Sequence, residues 1–220
     1  MIERGYASSP CYMHELDDGG RAVSPPDPNN WSEIALWRQM RREDLINKRF
    51  GLSVRERQEA SRLIMQRLDA MLDIATHPTI GVYWPFRGEP DLRDWMSSVI
   101  ERGGSIALPE VFEKAKPLIF REWKPNCTMR RGVWNIPVPD NDSRIVPDIV
   151  ISPVVGADAA GYRLGYGGGF YDRTLSTLSP RPRAIGVGHV ISALPTIYPY
   201  SHDIAMDEII LVDPKLDQSE

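Results

Sequence analysis

The sequence predicts an α/β fold: a single domain of three layers (α/β/α), in which helices cover both faces of a mostly parallel sheet. Two observations lead to this prediction. Short apolar segments rich in β-branched residues alternate along the chain with segments of helical period. The strongest strand, residues 148–155 (DIVISPVV), is apolar over most of its length, which is typical of a strand buried on both faces.

Local signals define the individual elements. Residues 31–50 form a helix with one apolar face, which includes Trp37 and Met40, and Gly51 ends it. The segment 53–56 (SVRE) matches a capping box and predicts that a second helix starts there. The later predicted elements are a strand at 79–86, a helix at 91–104, strands at 105–111 and 117–123, a short helix at 170–178 and a strand at 183–190.

The ends of the chain differ in composition from the rest. Residues 1–30 are rich in Pro, Gly, Asp and Asn and offer little to bury, so we predict a mobile N-terminal tail. The domain then covers residues 31–213, and residues 214–220 form a C-terminal tail. Cys11 and His14 lie in the first tail, where few partners for a metal site stand nearby.

Charge and cysteine content exclude several classes of function. The 220 residues carry a net charge of −4, which gives no basic surplus for a nucleic-acid partner. No apolar run is long enough for a membrane span, and the N-terminus lacks the pattern of a secretory signal. Two distant cysteines fit a reducing compartment. We therefore expect a cytoplasmic protein with no nucleic-acid or membrane partner, and we favour a monomer.

One glycine-rich segment stands between the strongest strand and the short helix. This segment, residues 161–173, reads GYRLGYGGGFYDR. Ligands of α/β proteins often bind at such a place, where a strand ends and a helix begins. The segment lacks the Lys and Ser/Thr of the common phosphate loop and the third glycine of the dinucleotide pattern. A structural turn and a phosphate-binding loop both remain possible.

Charged residues in this segment favour a phosphate ligand. Glycine lets backbone N–H groups approach an anion closely, and Arg163 and Arg173 can add positive charge. The carboxylate of Asp172 would repel a phosphate unless a cation lies between them. Mg²⁺ resolves this repulsion, because it binds carboxylate and phosphate oxygens together.

Five segments of the chain resemble the 5-formyltetrahydrofolate cyclo-ligase family. In chain order they are the basic helical pair, VYWPFRGEPDL, WNIPVP, GYRLGYGGGFYDR and HDIAMDEII, and together they extend from about Ile34 to about Leu211. The resemblance implies a fold of the type shared with sugar-phosphate isomerases and CoA transferases. It also implies that ATP and Mg²⁺ convert 5-formyltetrahydrofolate to 5,10-methenyltetrahydrofolate, through phosphorylation of the formyl oxygen. The small-molecule substrate is therefore expected to be a reduced folate.

The resemblance also implies a set of site residues. Those matching the ATP site are Arg38, Arg42, Arg163, Leu164, Gly165, Tyr166, Gly167, Gly168, Gly169, Phe170 and Tyr171. Those matching the folate site are Trp84, Glu89, Trp134, Tyr166, Gly167, Gly168, Gly169 and Phe170. Arg163 and Asp172 are the expected catalytic residues, and Asp172 and Asp207 are the expected metal ligands. Arg38 replaces a lysine that is common in the family, and Gly168 replaces a lysine that some relatives carry.

Structural roles remain open for several of these residues. Arg38 and Arg42 could lie on a solvated basic helix face, and Glu89 could place a negative charge at the start of a helix. Trp134 could be a core residue, and Asp207 could be a helix cap or a surface acid. His202 and Asp203 form a dyad on paper, but no activated serine or cysteine accompanies them. The resemblance implies that this pair is local scaffolding or a pair of groups that supports Asp207 from nearby.

Two other functions remain open. The chain could be an ATP-dependent paralogue acting on another N-formyl or amide-like substrate, because a fold does not fix a substrate. It could also be a module that binds ATP or folate without turnover. The presence of Glu89, Arg163, Asp172 and Asp207 favours the enzyme over that module.

Overall fold

The structure, a computed structural model, describes residues 24–215 and is built around one central sheet. The four helices of this part of the chain are α1 (Trp31–Gly51), α2 (Val54–Met71), α3 (Arg93–Glu101) and α4 (Phe170–Thr177). Its strands are β1 (Thr79–Gly81), β2 (Ser105–Glu110), β3 (Ile119–Trp123), β4 (Met129–Arg131), β5 (Pro137–Pro139), β6 (Ile149–Pro153), β7 (Gly156–Asp158), β8 (Arg163–Leu164), β9 (Arg183–His189), β10 (Ala193–Leu194) and β11 (Glu208–Val212). The predictions made for residues 1–23 and 216–220, including those for Cys11 and His14, lie outside the described residues.

Six strands form the central sheet, in the order β11-β9-β6-β1-β2-β3. Every neighbouring pair is parallel except β2 and β3, which confirms the predicted mostly parallel sheet. The chain builds outward from β1 in one direction through β2 and β3, and in the other through β6, β9 and β11. The strand order therefore reverses between β1 and β6, and such a reversal opens a crevice at the carboxyl ends of the strands.

Apolar side chains cover both faces of the sheet. On one face α2 and α3 contribute Ile64, Leu68 and Met96, which pack with Ile106 of β2 and Ile151 of β6. On the other face the core contains Ala107, Phe120, Val150, Leu175, Ala184 and Met206. Adjacent residues of one strand, such as Ile106 and Ala107, thus belong to different cores, as the alternation of side chains requires. The predicted three-layer architecture is confirmed.

The predicted start of the second helix is confirmed at atomic detail. The Ser53 hydroxyl accepts the Glu56 N–H at 3.2 Å, and the Glu56 carboxylate accepts the Ser53 N–H at 2.8 Å. These two bonds satisfy backbone donors that have no partner within the helix. The first helix begins in the same way, because the Asn30 side chain accepts the N–H groups of Ser32 and Glu33.

Three features differ from the sequence prediction. The strand predicted at 79–86 ends at Gly81, although Val82 still donates to the Ala107 carbonyl at 2.9 Å. In α1, Trp37 is buried as predicted, but Met40 is exposed. Half of the six buried residues of this helix are arginines, namely Arg38, Arg41 and Arg49, so its inner face is part apolar and part charged. The segment 207–212 adds an edge strand, β11, that its resemblance motif did not predict.

None of the helices between residues 24 and 215 is long and apolar enough to cross a membrane.

Candidate active site

A cavity of about 800 Å³ lies beyond the carboxyl ends of β1 and β6. Its walls come from the loop after β1, the glycine-rich segment, the start of α4, the segment 200–204 and the hairpin between β4 and β5. The reversal of strand order brings the first two walls together, because β1 and β6 are neighbours in the sheet. The cavity thus occupies the crevice that the topology predicts.

The glycine-rich segment forms a tight loop that leads into α4, and the N-terminus of this helix has no side-chain cap. Gly167 has a φ of +92° and Gly169 a φ of +61°, both in the left-handed region that favours glycine. Gly169 precedes α4, and no side chain caps that helix. The first N–H groups of α4 therefore keep the capacity to bind an anion.

Buried arginines add positive charge beside this loop. Arg38 is 4% exposed, pairs with Asp203 at 2.7 Å and lies over the Tyr200 ring. Arg42 donates to the Gly165 carbonyl at 2.7 Å, and burial, then the Arg38 charge, lowers its pKa. Neither arginine therefore belongs to a freely solvated basic face.

Arg163 has donors that no acceptor uses. It is 5% exposed, and its Nε and Nη2 atoms have no hydrogen-bond acceptor. Nη2 lies 3.2 Å from the Asp172 carboxylate, which is an ion-pair distance with poor hydrogen-bond geometry. Because buried donors without partners are costly, this arrangement favours an anion at Arg163.

Two aspartates line the cavity, and Asp207 is not one of them. Asp172 accepts the Ile204 N–H at 3.1 Å, and Asp203 accepts the Tyr200 N–H at 2.7 Å. Asp207 instead accepts the Ala184 N–H at 2.7 Å, just before β11. Among the described residues, no cluster of three or more His, Cys, Asp or Glu side chains could hold a metal. Asp172 and Asp203 would therefore have to share a metal with other oxygen ligands.

The opposite wall is built around Glu89. This residue is 6% exposed and accepts the Phe86 N–H at 2.9 Å and the Tyr166 hydroxyl at 3.0 Å. Burial raises the pKa of Glu89 to about 7, while the Arg49 charge acts in the opposite direction. Glu89 therefore does not simply charge a helix start; it is a buried carboxylate in the cavity wall.

Aromatic rings line the same cavity. Trp84 and Tyr166 line the cavity, and Trp134 lies on the turn of the β4–β5 hairpin with 55% of its surface exposed. The Trp134 and Phe170 rings pack edge to face, with 6.0 Å between their centroids. Trp134 is therefore not a core residue, and its exposed ring can contact a planar molecule in the cavity.

Most of the residues predicted from the sequence line this one cavity. The exceptions are Arg42, Leu164 and Asp207. Arg42 holds the loop from outside through Gly165, and Leu164 is fully buried in β8. The remaining predicted residues come from four separate parts of the chain, so their assembly is a property of the fold.

Comparison with known proteins relates this arrangement to a family. The model of the 5-formyltetrahydrofolate cyclo-ligase family matches residues 34–212. The chain belongs to the 5-formyltetrahydrofolate cyclo-ligase family. The match covers α1 through β11 and therefore includes every wall of the cavity.

Individual relatives of this cyclo-ligase family are moderately similar. The 5-formyltetrahydrofolate cyclo-ligase of Haemophilus influenzae is 29% identical over 144 residues, 63% of this chain and 77% of that protein. That of Escherichia coli K12 is 29% identical over 149 residues, 64% of this chain and 82% of that protein. The NMR structure of Aquifex aeolicus 5,10-methenyltetrahydrofolate synthetase superposes with a TM-score of 0.69 at 25% identity, over 79% of this chain and 89% of that one.

The sequence prediction gave no site role to two residues of this cyclo-ligase family member: Arg49, which contacts the cavity residue Tyr166, and Asp203, which lines the cavity. Arg49 follows Arg38 by eleven residues and Arg42 by seven, which places all three on one helix face, so a longer search of the spacing would have found it. Asp203 was expected to be scaffolding. It stands 31 residues after Asp172, and only the fold brings both carboxylates to the cavity.

Proposed function

We propose that this chain uses ATP and Mg²⁺ to cyclise 5-formyltetrahydrofolate to 5,10-methenyltetrahydrofolate, with release of ADP and phosphate. One observation carries the proposal: a single cavity has unpartnered arginine donors on one wall and a buried carboxylate among aromatic rings on the other. The first wall fits a polyphosphate, and the second fits a planar ring that offers paired N–H groups. We retain the cytoplasm as the expected compartment.

The nucleotide wall would hold and neutralise the phosphates. Arg38, Arg42 and Arg163 supply charge, and the backbone N–H groups of residues 165–171 supply donors at the start of α4. Arg163 is the residue best suited to stabilise charge on the phosphoryl group during transfer, because its free donors are already buried in the cavity wall.

Asp172 and Asp203 would hold the metal. Both offer carboxylate oxygens in the cavity, and carboxylate oxygen is the ligand that Mg²⁺ prefers. Asp172 is paired with Arg163 and Asp203 with Arg38, so nucleotide binding would let each arginine turn to a phosphate and each carboxylate to the metal. Bound Mg²⁺ would supply charge neutralisation on the phosphate oxygens.

The folate wall would orient the substrate. Glu89 would accept the paired N–H groups of the pterin ring, and Trp84, Trp134 and Phe170 would pack against its planar parts. The Gly-rich residues Tyr166 to Phe170 lie between the two walls and would touch both substrates. Closeness and orientation of the two substrates are the main contributions that such a cavity can make.

The bond changes then follow without a covalent enzyme intermediate. The formyl oxygen bonds to the γ-phosphorus as the bond from that phosphorus to ADP breaks. The second folate nitrogen attacks the activated formyl carbon and loses its proton. The bond between that carbon and the oxygen breaks, and phosphate leaves with the former formyl oxygen. No serine or cysteine nucleophile is needed.

The test is an assay of the purified chain with 5-formyltetrahydrofolate, ATP and Mg²⁺. We expect methenyltetrahydrofolate, seen by its absorbance, in equal amount to the ADP released. ADP release only with another N-formyl or amide-like substrate would favour the paralogue. Binding of ATP and folate without any turnover would favour the binding module.

A further inference from the structure

We propose that Arg49 is a positioning residue for the folate wall: it orients the Tyr166 hydroxyl and keeps Glu89 in the anionic form that accepts N–H groups from the substrate. The inference rests on the proposed function, since it concerns the same wall. It adds a residue that lies outside the cavity lining and to which the sequence assigned no role.

Arg49 is held in one place by the core. Its side chain is 1% exposed, and its Nη2 donates to the Val154 carbonyl at 2.7 Å. Its Nη1 donates to the Tyr166 hydroxyl oxygen at 3.2 Å and lies 4.0 Å from the nearer Glu89 oxygen. A guanidinium fixed at Val154 therefore brings its charge to both residues of the folate wall.

The direction of the hydrogen bonds sets the state of Glu89. The Tyr166 oxygen accepts from Arg49, so the one proton of this hydroxyl is free to point at Glu89 Oε1, which lies 3.0 Å away. The other oxygen, Oε2, accepts the Phe86 N–H. Both carboxylate oxygens are thus acceptors, which is the pattern of an anion, and each keeps a further lone pair for a substrate N–H.

The tyrosine and histidine side chains near Glu89 do not change their charge near neutral pH. Burial raises the pKa values of Tyr83, Tyr166 and Tyr171, so these side chains stay neutral. On β9, burial lowers the pKa of His189 to about 4, so this ring is also neutral. The further charged groups on this side are Arg49 on α1, Arg57 on α2 and Asp91 before α3.

Loss of the Arg49 charge should raise the pH at which the folate site becomes competent. In the native chain, kcat/KM for 5-formyltetrahydrofolate should rise with pH as Glu89 ionises, with a midpoint near its pKa of about 7. In Arg49→Met, burial would still raise the pKa of Glu89, but the Arg49 charge that lowers this pKa would be absent. The midpoint should move up by at least about one pH unit, and KM for folate at pH 7 should therefore rise by at least roughly fivefold. KM for ATP should stay within about twofold.

Two further variants separate charge from packing. Arg49→Lys keeps the charge, so its midpoint should return to within about half a pH unit of the native value. Lys48→Met removes a positive charge from the neighbouring position of α1, where the side chain is 40% exposed and pairs with Asp44. Its midpoint should equal the native one. A purely structural role for Arg49 would lower kcat/KM equally at all pH values in both Arg49 variants.

A direct titration keeps the inference independent of turnover. Carboxyl-carbon NMR of the glutamate-labelled chain, with the Glu89 signal assigned through Glu89→Gln, should show the same upward shift in Arg49→Met. If Arg49→Met does not fold, Tyr166→Phe should move the signal in the same direction, because Glu89 loses its hydroxyl donor. An unmoved Glu89 titration in these variants would overturn the inference. Absence of native turnover would instead contradict the proposed function alone.

Discussion

Gly168 shows how one missing side chain shapes the loop. A Cβ at this position would lie 2.6 Å from the Phe170 ring, so even alanine would force that ring to move. Phe170 in turn contacts Trp134 in the folate wall. A lysine at this position would therefore require a different position of Phe170.

We predict that Gly168→Ala raises KM for folate several-fold and lowers the free energy of unfolding by about 1 kcal/mol, the typical effect of an overpacked side chain. Steady-state kinetics and urea unfolding would measure both effects. Gly51→Ala is the matched control, since a Cβ there meets nothing within 4 Å. Equal kinetics in the two variants would show that the position of Phe170 does not matter for folate.

His189 makes stability depend on pH. It is 1% exposed, its Nε2 lies 3.2 Å from the Gly88 carbonyl oxygen, and its Nδ1 has no partner. Burial lowers its pKa from 6.5 to about 4, so it is neutral in the fold while the unfolded chain can protonate. Below pH 6.5 the unfolded state binds more protons, and the stability due to this group is lost as the pH falls towards 4.

We predict that this loss is about 2–3 kcal/mol between pH 7 and pH 4.5. Glu89 opposes it, because its raised pKa makes the fold bind more protons than the unfolded chain between pH 4.5 and 7. Comparison of the native chain with His189→Gln isolates the histidine. Urea unfolding at the two pH values should show that the free energy of unfolding falls less on acidification in the variant than in the native chain. Equal pH slopes would contradict a buried neutral imidazole.

At the scale of elements, α1 illustrates what local sequence can and cannot predict. Its start and the capping box of the next helix follow from neighbouring residues, so both were predicted correctly. The prediction of an apolar inner face is correct for Trp37, which is buried, and wrong for Met40, which is exposed. The structure buries Arg38 and Arg49 on the same face. Their partners, Asp203 and Val154, lie more than a hundred residues away, so no local signal could have identified them.

The segment before β11 carries two carboxylates that the structure separates. Asp203 lines the cavity and pairs with Arg38, whereas Asp207 bonds to Ala184 at the start of the strand pair β9 and β11. The resemblance pointed to Asp207 as a metal ligand. The cavity lining favours Asp203 as the partner of Asp172.

We predict that Asp203→Asn, like Asp172→Asn, raises KM for Mg·ATP at least about tenfold, because a carboxylate ligand contributes strongly to metal binding. Asp207→Asn should leave that KM within about twofold and instead lower stability by roughly 1 kcal/mol through its weakened backbone bond. Kinetics at limiting Mg²⁺ would measure the difference. The reverse ranking of the two variants would restore Asp207 as the metal ligand.

At the scale of the whole molecule, the reversal of strand order explains why one cavity holds both walls. Glu89 and Tyr166 are 77 residues apart and share a hydrogen bond. Glu89 follows β1, and Tyr166 follows the short β7–β8 hairpin that comes after β6, the neighbour of β1 in the sheet. The alternation of strands and helices predicted the parallel sheet correctly. It could not predict the order of the strands, the edge strand β11 or the β4–β5 hairpin, because these depend on long-range packing.

The position of Trp134 is the clearest example of a feature that depends on long-range packing. The sequence left a core role and a folate role open for this residue. The hairpin that carries it is held against the sheet by Glu110 of β2, which pairs with Arg121 of β3 and Arg130 of β4. These ion pairs join three elements, and they leave the Trp134 ring exposed beside Phe170.

Oxygen transfer between the two substrates is the most direct measure of how the cavity works. We would supply 5-formyltetrahydrofolate labelled with oxygen-18 in its formyl group, together with ATP and Mg²⁺, and analyse the released phosphate by mass spectrometry. Phosphorylation of the formyl oxygen predicts one labelled oxygen in each phosphate and an equal amount of methenyltetrahydrofolate. Unlabelled phosphate, or ATP hydrolysis without the folate product, would contradict it.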